Sequence, residues 1–358
     1  MRTGAVRLGE FLIFIGVFVL ALQYIDWSAF APIERADLVI AGGVVLLICF
    51  AGALWSRSVL LDELIHLVSL IIGAIVLGLL VSSSEVSTWV DVAGPVRAEK
   101  TLSFDGTFDP SAPTLSVKLE LQNGTATVQT WEKESFQITI TARARGWKRL
   151  EAQRLLADVT LEPQISPTGI VFRAPRISFG RLSSLETDVQ LLVPRGRVYE
   201  LKLNAINGAL NIGEISATQA ELSTSNGYIT LIMLTAQQLT AHTLNGKISG
   251  QLAAAEASLS TTNGDIRLTL RAVTGSYKLS TFNGSITLDV HDDPTIGYAI
   301  SAQSTIGHVH MEIPNFVFRR QERRSIEGET SNFQTAPTKI TITASTTNGD
   351  IEIRLALD

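Results

Sequence analysis

From Thr101 onward, apolar and polar positions alternate with a period of two, which predicts half-buried strands. Leu115, Val117, Leu119 and Leu121 alternate with polar residues as far as Asn123-Gly124, and a second run follows over Thr125–Thr130. Phe136–Ala142, Ile170–Arg173 and Thr187–Val193 are further strands, bounded by Pro175, Gly180 and Pro194-Arg195-Gly196. Between them, Trp147–Leu156 is rich in Arg, Lys and Leu and predicts a short helical excursion. From Tyr199 the alternation becomes a repeat: an apolar residue, a Ser/Thr cluster, Asn-Gly, then an apolar strand. It reads Leu222-Ser-Thr-Ser-Asn226-Gly227-Tyr-Ile229, then Leu259-Ser-Thr-Thr-Asn263-Gly264-Asp-Ile266 and Leu279-Ser-Thr-Phe-Asn283-Gly284-Ser-Ile286. Asn207, Asn226, Asn245, Asn263 and Asn283 are 19, 19, 18 and 20 residues apart, and Asn348 opens the last copy.

Two geometries fit one copy. As a hairpin, Asn-Gly forms a two-residue type I′ turn with φ > 0 at both positions, and Thr224 faces Ile229. As a coil of a β-solenoid, each corner lies one strand spacing (~4.8 Å) above the last, and identical residues stack into ladders. Parity along the strands is the same in both. The near-constant period favours the solenoid, because successive hairpins have no reason to share a turn sequence. The fold class predicted is therefore an all-β repeat domain over 101–358, a β-solenoid with coils of about 19 residues and Asn-Gly corners. Asn207, Asn226, Asn245, Asn263, Asn283 and Asn348 form its corner ladder. A degenerate fifth copy has Ile306-Gly307 in place of Asn-Gly, and one missing rung leaves such a ladder continuous. Between 314 and 337 the pattern breaks, and this stretch predicts a loop projecting from the stack. Clean alternation resumes from Lys339 to Asp358.

The N-terminal residues follow a different rule. Phe11–Ile25, Leu38–Trp55 and Leu64–Val81 are apolar runs of 15, 18 and 18 residues, and none of them contains a charge. They predict three membrane-spanning helices at about 10–27, 37–56 and 63–82, within a transmembrane region at 1–83. A cleaved signal peptide is the competing reading of the first run, but no small-residue cleavage site follows it. Arg2, Arg7 and Arg57 flank one side, against the single Arg35 in the first loop, so the positive-inside bias places the N-terminus in the cytoplasm. After three crossings, residues 85–358 are extracytoplasmic, joined by a juxtamembrane linker at 84–100. Gly42-Gly43, His66 and Ser69 suit helix association inside the membrane.

Composition narrows the function classes. The net charge of −5 and a nearly neutral C-terminal part give no field for nucleic acid. The single cysteine, Cys49, lies in the second apolar run, so no disulfide staples the external part. Phosphate loops, zinc-spaced cysteines and a nucleophile elbow are absent from the sequence. No cofactor is expected.

Asn123-Gly124, a long polar middle, Val193-Pro194-Arg195-Gly196, then Leu201-Lys-Leu203 and Asn207-Gly208 lead into the string of Asn-Gly copies. Over about residues 100–358 this resembles the putative-adhesin domain of unknown function, a β-strand-repeat family of prokaryotic envelope proteins. The resemblance implies a β-solenoid, often tethered to a membrane, with roles in adhesion or envelope-stress signalling. It brings no catalytic residues. The three-helix N-terminus departs from many single-domain members.

Three constellations carry candidate chemistry. His308 and His310, with His291-Asp292-Asp293 read as one coil away, have ligand types for a divalent metal, although an exposed polar face is the plainer reading. Asp265 and Asp350, with Asp292/Asp293, have the carboxylates of a sugar-cleaving β-helix. Asp265 and Asp350 stand just after Asn-Gly, a place that suits a solvent-facing corner better. Arg319, Arg320, Arg323 and Arg324 beside Phe316 and Phe318 form a basic-aromatic cluster for an anionic wall polymer, a lipid headgroup or an acidic partner, although a solvated loop with Glu322, Glu327 and Glu329 as local counter-charges is the plainer reading. The sequence therefore predicts a membrane-anchored, non-catalytic module for adhesion-like or scaffold binding at the cell envelope. Its partner would be an envelope polymer or a membrane protein, and self-association stays open. An accessory sensor of envelope stress is the alternative, and a carbohydrate-active β-helix is more distant.

Overall fold

The computed structural model describes residues 96–146, 149–175 and 184–356. The three apolar runs and the linker up to residue 95 lie outside them, as do Trp147 and Gly180. Among the described residues, no helix is long and apolar enough to cross a membrane.

The described chain is all-β with one short helix, α1 (Arg149–Ala157), at the predicted excursion. Before it come β1 (Val96–Thr107), β2 (Leu115–Asn123), β3 (Ala126–Trp131) and β4 (Ser135–Gly146). β1 begins inside the segment predicted as linker: it pairs with β4, and its alternation of half-buried Ala98, Lys100, Leu102 and Phe104 with exposed residues extends back to that point. After α1 come β5 (Gln164–Ser166), β6 (Gly169–Arg173), β7 (Ser184–Pro194) and β8 (Val198–Asn207). The repeats supply β9 (Leu210–Asn226), β10 (Ile229–Asn245), β11 (Ile248–Asn263), β12 (Ile266–Leu270), β13 (Gly275–Asn283) and β14 (Ile286–Val290). The chain continues through β15 (Ile296–Ser304), β16 (Val309–Glu312), β17 (Phe316–Glu322) and β18 (Ser325–Thr330), and closes with β19 (Thr338–Asn348) and β20 (Ile351–Leu355).

Pairing separates the two geometries. β10 runs parallel to both β9 and β11, offset by one repeat, so the strands that flank an Asn-Gly corner are not the antiparallel arms of a hairpin. Equivalent residues stack one coil above another: Leu210, Ile229, Ile248, Ile266, Ile286 and Ile351 form one buried column. β9 and β10 bury alternate residues and slip phase twice. In β9 the slips fall at Ile212/Gly213 and Thr218/Gln219, where the strand bends and turns a new set of side chains inward.

Small side chains thin the core in the middle coils, where Ala253, Ala254 and Ala257 are buried. Tyr277, one level on from Ala257, is fully buried, and its hydroxyl accepts a bond from the Ala254 N–H at 3.0 Å. Burial raises its pKa.

Spatial order departs from chain order at both ends. β19 lies between β13 and β15, and β20 between β14 and β16. The last copy in sequence is thus inserted before the degenerate fifth copy, which sits at the end of the stack and interrupts nothing. At the other end, β2 lies between β6 and β8, and β3 between β7 and β9. Antiparallel strands close both ends: β4 on β7, β5 on β6, and β18 on β15. The stretch at 314–337, predicted as a loop, is largely the β17–β18 hairpin. Backbone bonds to β15 order it, and a loop-like composition does not reveal those.

Candidate functional site

The corner of each repeat is built from three ladders. The side-chain amide of Asn207 donates to Asn123 Oδ1 at 2.8 Å, and the same bond recurs from Asn226 to Asn207, Asn245 to Asn226, Asn263 to Asn245, Asn283 to Asn263 and Asn348 to Asn283 at 2.6–2.8 Å. The first rung is Asn123, which the sequence reading left out because it lies 84 residues before Asn207. Its Asn-Gly pair was the available signal.

A second ladder runs inside the first and was not foreseen. Thr224, Thr243, Thr261, Thr281 and Thr346, each two residues before its asparagine, are buried. Each hydroxyl donates to the glycine carbonyl of the neighbouring corner at 2.9–3.0 Å. Ser304 does the same in the degenerate copy at 2.8 Å. The fixed offset of Thr from Asn was visible, but its partner is set only by the stack.

The glycines form the third ladder, for a reason other than the positive φ of the hairpin reading. None of the ladder asparagines has a positive φ; Asn315 is the only non-glycine that does among the described residues. The corners are therefore not type I′ turns. A Cβ on Gly208, Gly227, Gly246, Gly264 or Gly284 would stand 1.7–2.0 Å from the carbonyl oxygen of the glycine one rung away. Close approach of backbone to backbone excludes a side chain there.

These ladders consume the polar groups of the corner, and its outer rim is apolar in places. Ile206, Leu244 and Phe282, each one residue before an asparagine, are exposed, as is Tyr228, one residue after Gly227. Ser225, Thr262 and Thr347 take that position in the intervening rungs, so large and small side chains alternate along the stack.

The candidate metal residues do not converge. His310 lies two levels from Thr287, with Glu352 between them, which places His291 two coils away and not one. His310 pairs with Glu312 at 2.9 Å and His308 with Asp350 at 3.4 Å. No group of three His, Cys, Asp or Glu side chains that could hold a metal occurs among the described residues. Asp265 and Asp350 are also separated, with Ser285 between them in the stack. Asp265 accepts the backbone N–H of Ser285 at 2.8 Å, and Asp350 accepts that of His308 at 2.8 Å. The bond from His308 N–H holds the Asp350 carboxyl below its ordinary value.

The four arginines lie together on the β17–β18 hairpin. Arg319 pairs with Glu329 at 3.2 Å, and Arg320 reaches Glu322 at 4.0 Å. Arg323 and Arg324 form the tip, where their carbonyls accept the N–H groups of Val309 and Ser304 and so cap the last corner of the stack. Their side chains are exposed and form no ion pair among the described residues. The far edge of β17 has no partner strand among the described residues, and Val317 and Phe318 are exposed on it.

Taken together, the ladders define a class: an all-β repeat domain with in-register Asn, Thr and Gly corners. The chain belongs to the Toastrack DUF4097 family, whose sequence model matches residues 96–354. No curated protein matches it. Among solved structures, it is similar to a putative adhesin from Bacteroides fragilis at 12% identity, over 71% of this chain and 97% of that one, with a TM-score of 0.36. It is also similar to a putative cell adhesion protein from Clostridium sporogenes, at 11% identity over 74% and 100% with a TM-score of 0.29. A third is a putative lipid binding protein from Parabacteroides distasonis, at 10% identity over 71% and 96% with a TM-score of 0.37.

Proposed function

We propose that this chain is a membrane-anchored, non-catalytic binding module of the cell envelope. Its external part is a β-solenoid that serves as a rigid spacer, and it meets an envelope polymer or membrane protein through the β17–β18 hairpin. Parallel, in-register pairing of successive repeats supports the solenoid. One observation carries the choice of surface. Corner after corner spends its polar groups on the neighbouring coil, whereas β17 keeps an edge without a partner strand among the described residues, with exposed Val317, Phe318, Arg319 and Arg320 on the strand and Arg323 and Arg324 at its tip. An open edge offers backbone hydrogen bonds to an extended partner, and its arginines favour an acidic one. The same charges also protect the edge from self-pairing when no partner is present.

The test uses cells expressing the full chain and isolated envelope material. Replacing Arg319, Arg320, Arg323 and Arg324 together with Gln should abolish retention of that material, while exchanging residues 1–83 for an unrelated anchor should leave it intact. Unchanged retention in the quadruple variant would remove the hairpin from the proposal. Loss of function on the anchor exchange alone would favour the sensor, in which the helices themselves carry a signal.

A further inference from the structure

The rim of the corners has an order that the ladders beneath it do not need. Six successive coils place Ile206, Ser225, Leu244, Thr262, Phe282 and Thr347 one residue before the asparagine. Ile206, Leu244 and Phe282 are 47%, 44% and 53% exposed, whereas Ser225, Thr262 and Thr347 are half-buried. Two coil spacings, about 9.6 Å, separate one large side chain from the next, so each small residue lies in a notch about one side chain wide.

A second column runs on the other side of the asparagine row, one residue after each glycine. On the four inner coils it reads Tyr228, Lys247, Asp265 and Ser285. Tyr228, Lys247 and Asp265 are exposed, and neither charge forms an ion pair among the described residues. Apolar side chains exposed in a row along one rigid surface mark an interaction site.

The surface that fits this rim is the rim itself. Large and small residues alternate over an even number of coils, so reversing their order sets every large residue over a small one. A two-fold axis in the plane of contact, crossing the stack between the coils of Leu244 and Thr262, makes that reversal. Ile206 of one copy then meets Thr347 of the other, Phe282 meets Ser225, and Leu244 meets Thr262. The same axis sets Lys247 over Asp265 and Tyr228 over Ser285, and symmetry makes each of these contacts twice. A parallel pair, about an axis along the stack, would set Lys247 against Leu244 and leave both charges unpaired.

We infer that the corner rim is a self-recognition surface, on which a second copy of this chain docks antiparallel and interdigitates with the first. The six coils span about 24 Å, which makes a contact of the small, transient class. No residue of the β17–β18 hairpin takes part, so the inference goes beyond the binding-module reading and each can fail alone.

The test is cross-linking of the full chain in detergent, with Cys49→Ser so that introduced cysteines stand alone. Ile206→Cys and Thr347→Cys are made in separately tagged chains, mixed, and treated with a short bis-maleimide. The mixture should give a cross-linked dimer. Each chain by itself should not, because in the antiparallel pair either site lies about 24 Å from its own copy. Charge reversal then probes the centre of the contact. Lys247→Asp in both chains, or Asp265→Lys in both, sets like charges together and should lower the cross-linked fraction about tenfold or more. Lys247→Asp in one chain with Asp265→Lys in the other restores opposite charges and should return it. Thermal melts report the fold of each variant, and the comparison of the cysteine mixtures stands without any charge variant. Cross-linking of the mixture no stronger than that of the single chains would overturn the inference. So would unchanged cross-linking in either charge-reversed pair, or no recovery when the two folded variants are mixed.

Discussion

At Gly246 an added methyl group would stand 1.8 Å from the carbonyl oxygen of Gly227, so the backbone of one coil would have to move away from the next. Thr243, three residues earlier, is buried and gives its hydroxyl to that same carbonyl at 3.0 Å, and Thr243→Val would leave the carbonyl without it. Asn245 gives and receives one amide bond at 2.8 Å, but at an exposed corner that water also reaches. The three substitutions should therefore rank clearly in urea unfolding. Gly246→Ala costs about 4 kcal/mol or more, Thr243→Val about 1–3 kcal/mol, and Asn245→Ala about 1 kcal/mol. An Asn245→Ala loss exceeding that of Gly246→Ala would contradict the steric account of the corner. Asp350 gives this scale a pH dependence. Its folded pKa is lowered, so its contribution to stability is present at neutral pH and fades as the pH falls below about 4, the range in which a free carboxylate protonates. Asp350→Asn should flatten the acid limb of the stability profile, with little change in its slope above about pH 6.

Among the elements, the order of the last coils has the largest consequence. β19 and β20 are bonded on both sides, so the final copy in sequence is an interior layer. Deleting residues 338–358 should unseat β15 and β16 as well, because their parallel partners are removed with it. Hydrogen exchange should then show protection lost over 296–312 together with the edges of β13 and β14. Protection retained over 296–312 would mean that β18 alone holds the terminal coil. The β17–β18 hairpin also illustrates what local composition hides. Phe316-Val-Phe-Arg-Arg-Gln-Glu322 alternates poorly and has almost no buried face, yet it is a strand because β18 supplies its hydrogen bonds.

At the scale of the whole described domain, two layers of information meet. Period-two alternation, the spacing of 18–20 residues and the Asn-Gly pairs were enough to derive an all-β repeat domain and six of its seven asparagine rungs. They could do so because burial of alternate side chains and amide-to-amide bonding repeat at every level, and a repeated physical demand leaves a repeated sequence. The sites were less legible. His308, His310 and His291 are neighbours only where stacking order follows sequence order, and inserting β20 between β14 and β16 separates them. Arg271 belongs to no motif, and His291 entered the sequence reading only as a metal candidate; the simultaneous end of three strands brings them to one hollow. The threonine ladder falls between these cases: its residues recur openly, but their acceptors belong to other coils. By itself, then, the sequence determined the strand pattern, the period and the residue types at each corner, all of which follow from local alternation. The tertiary structure alone decided the order of the coils, the reason for the glycines and the company each polar side chain keeps, because those depend on which backbones lie one strand spacing apart.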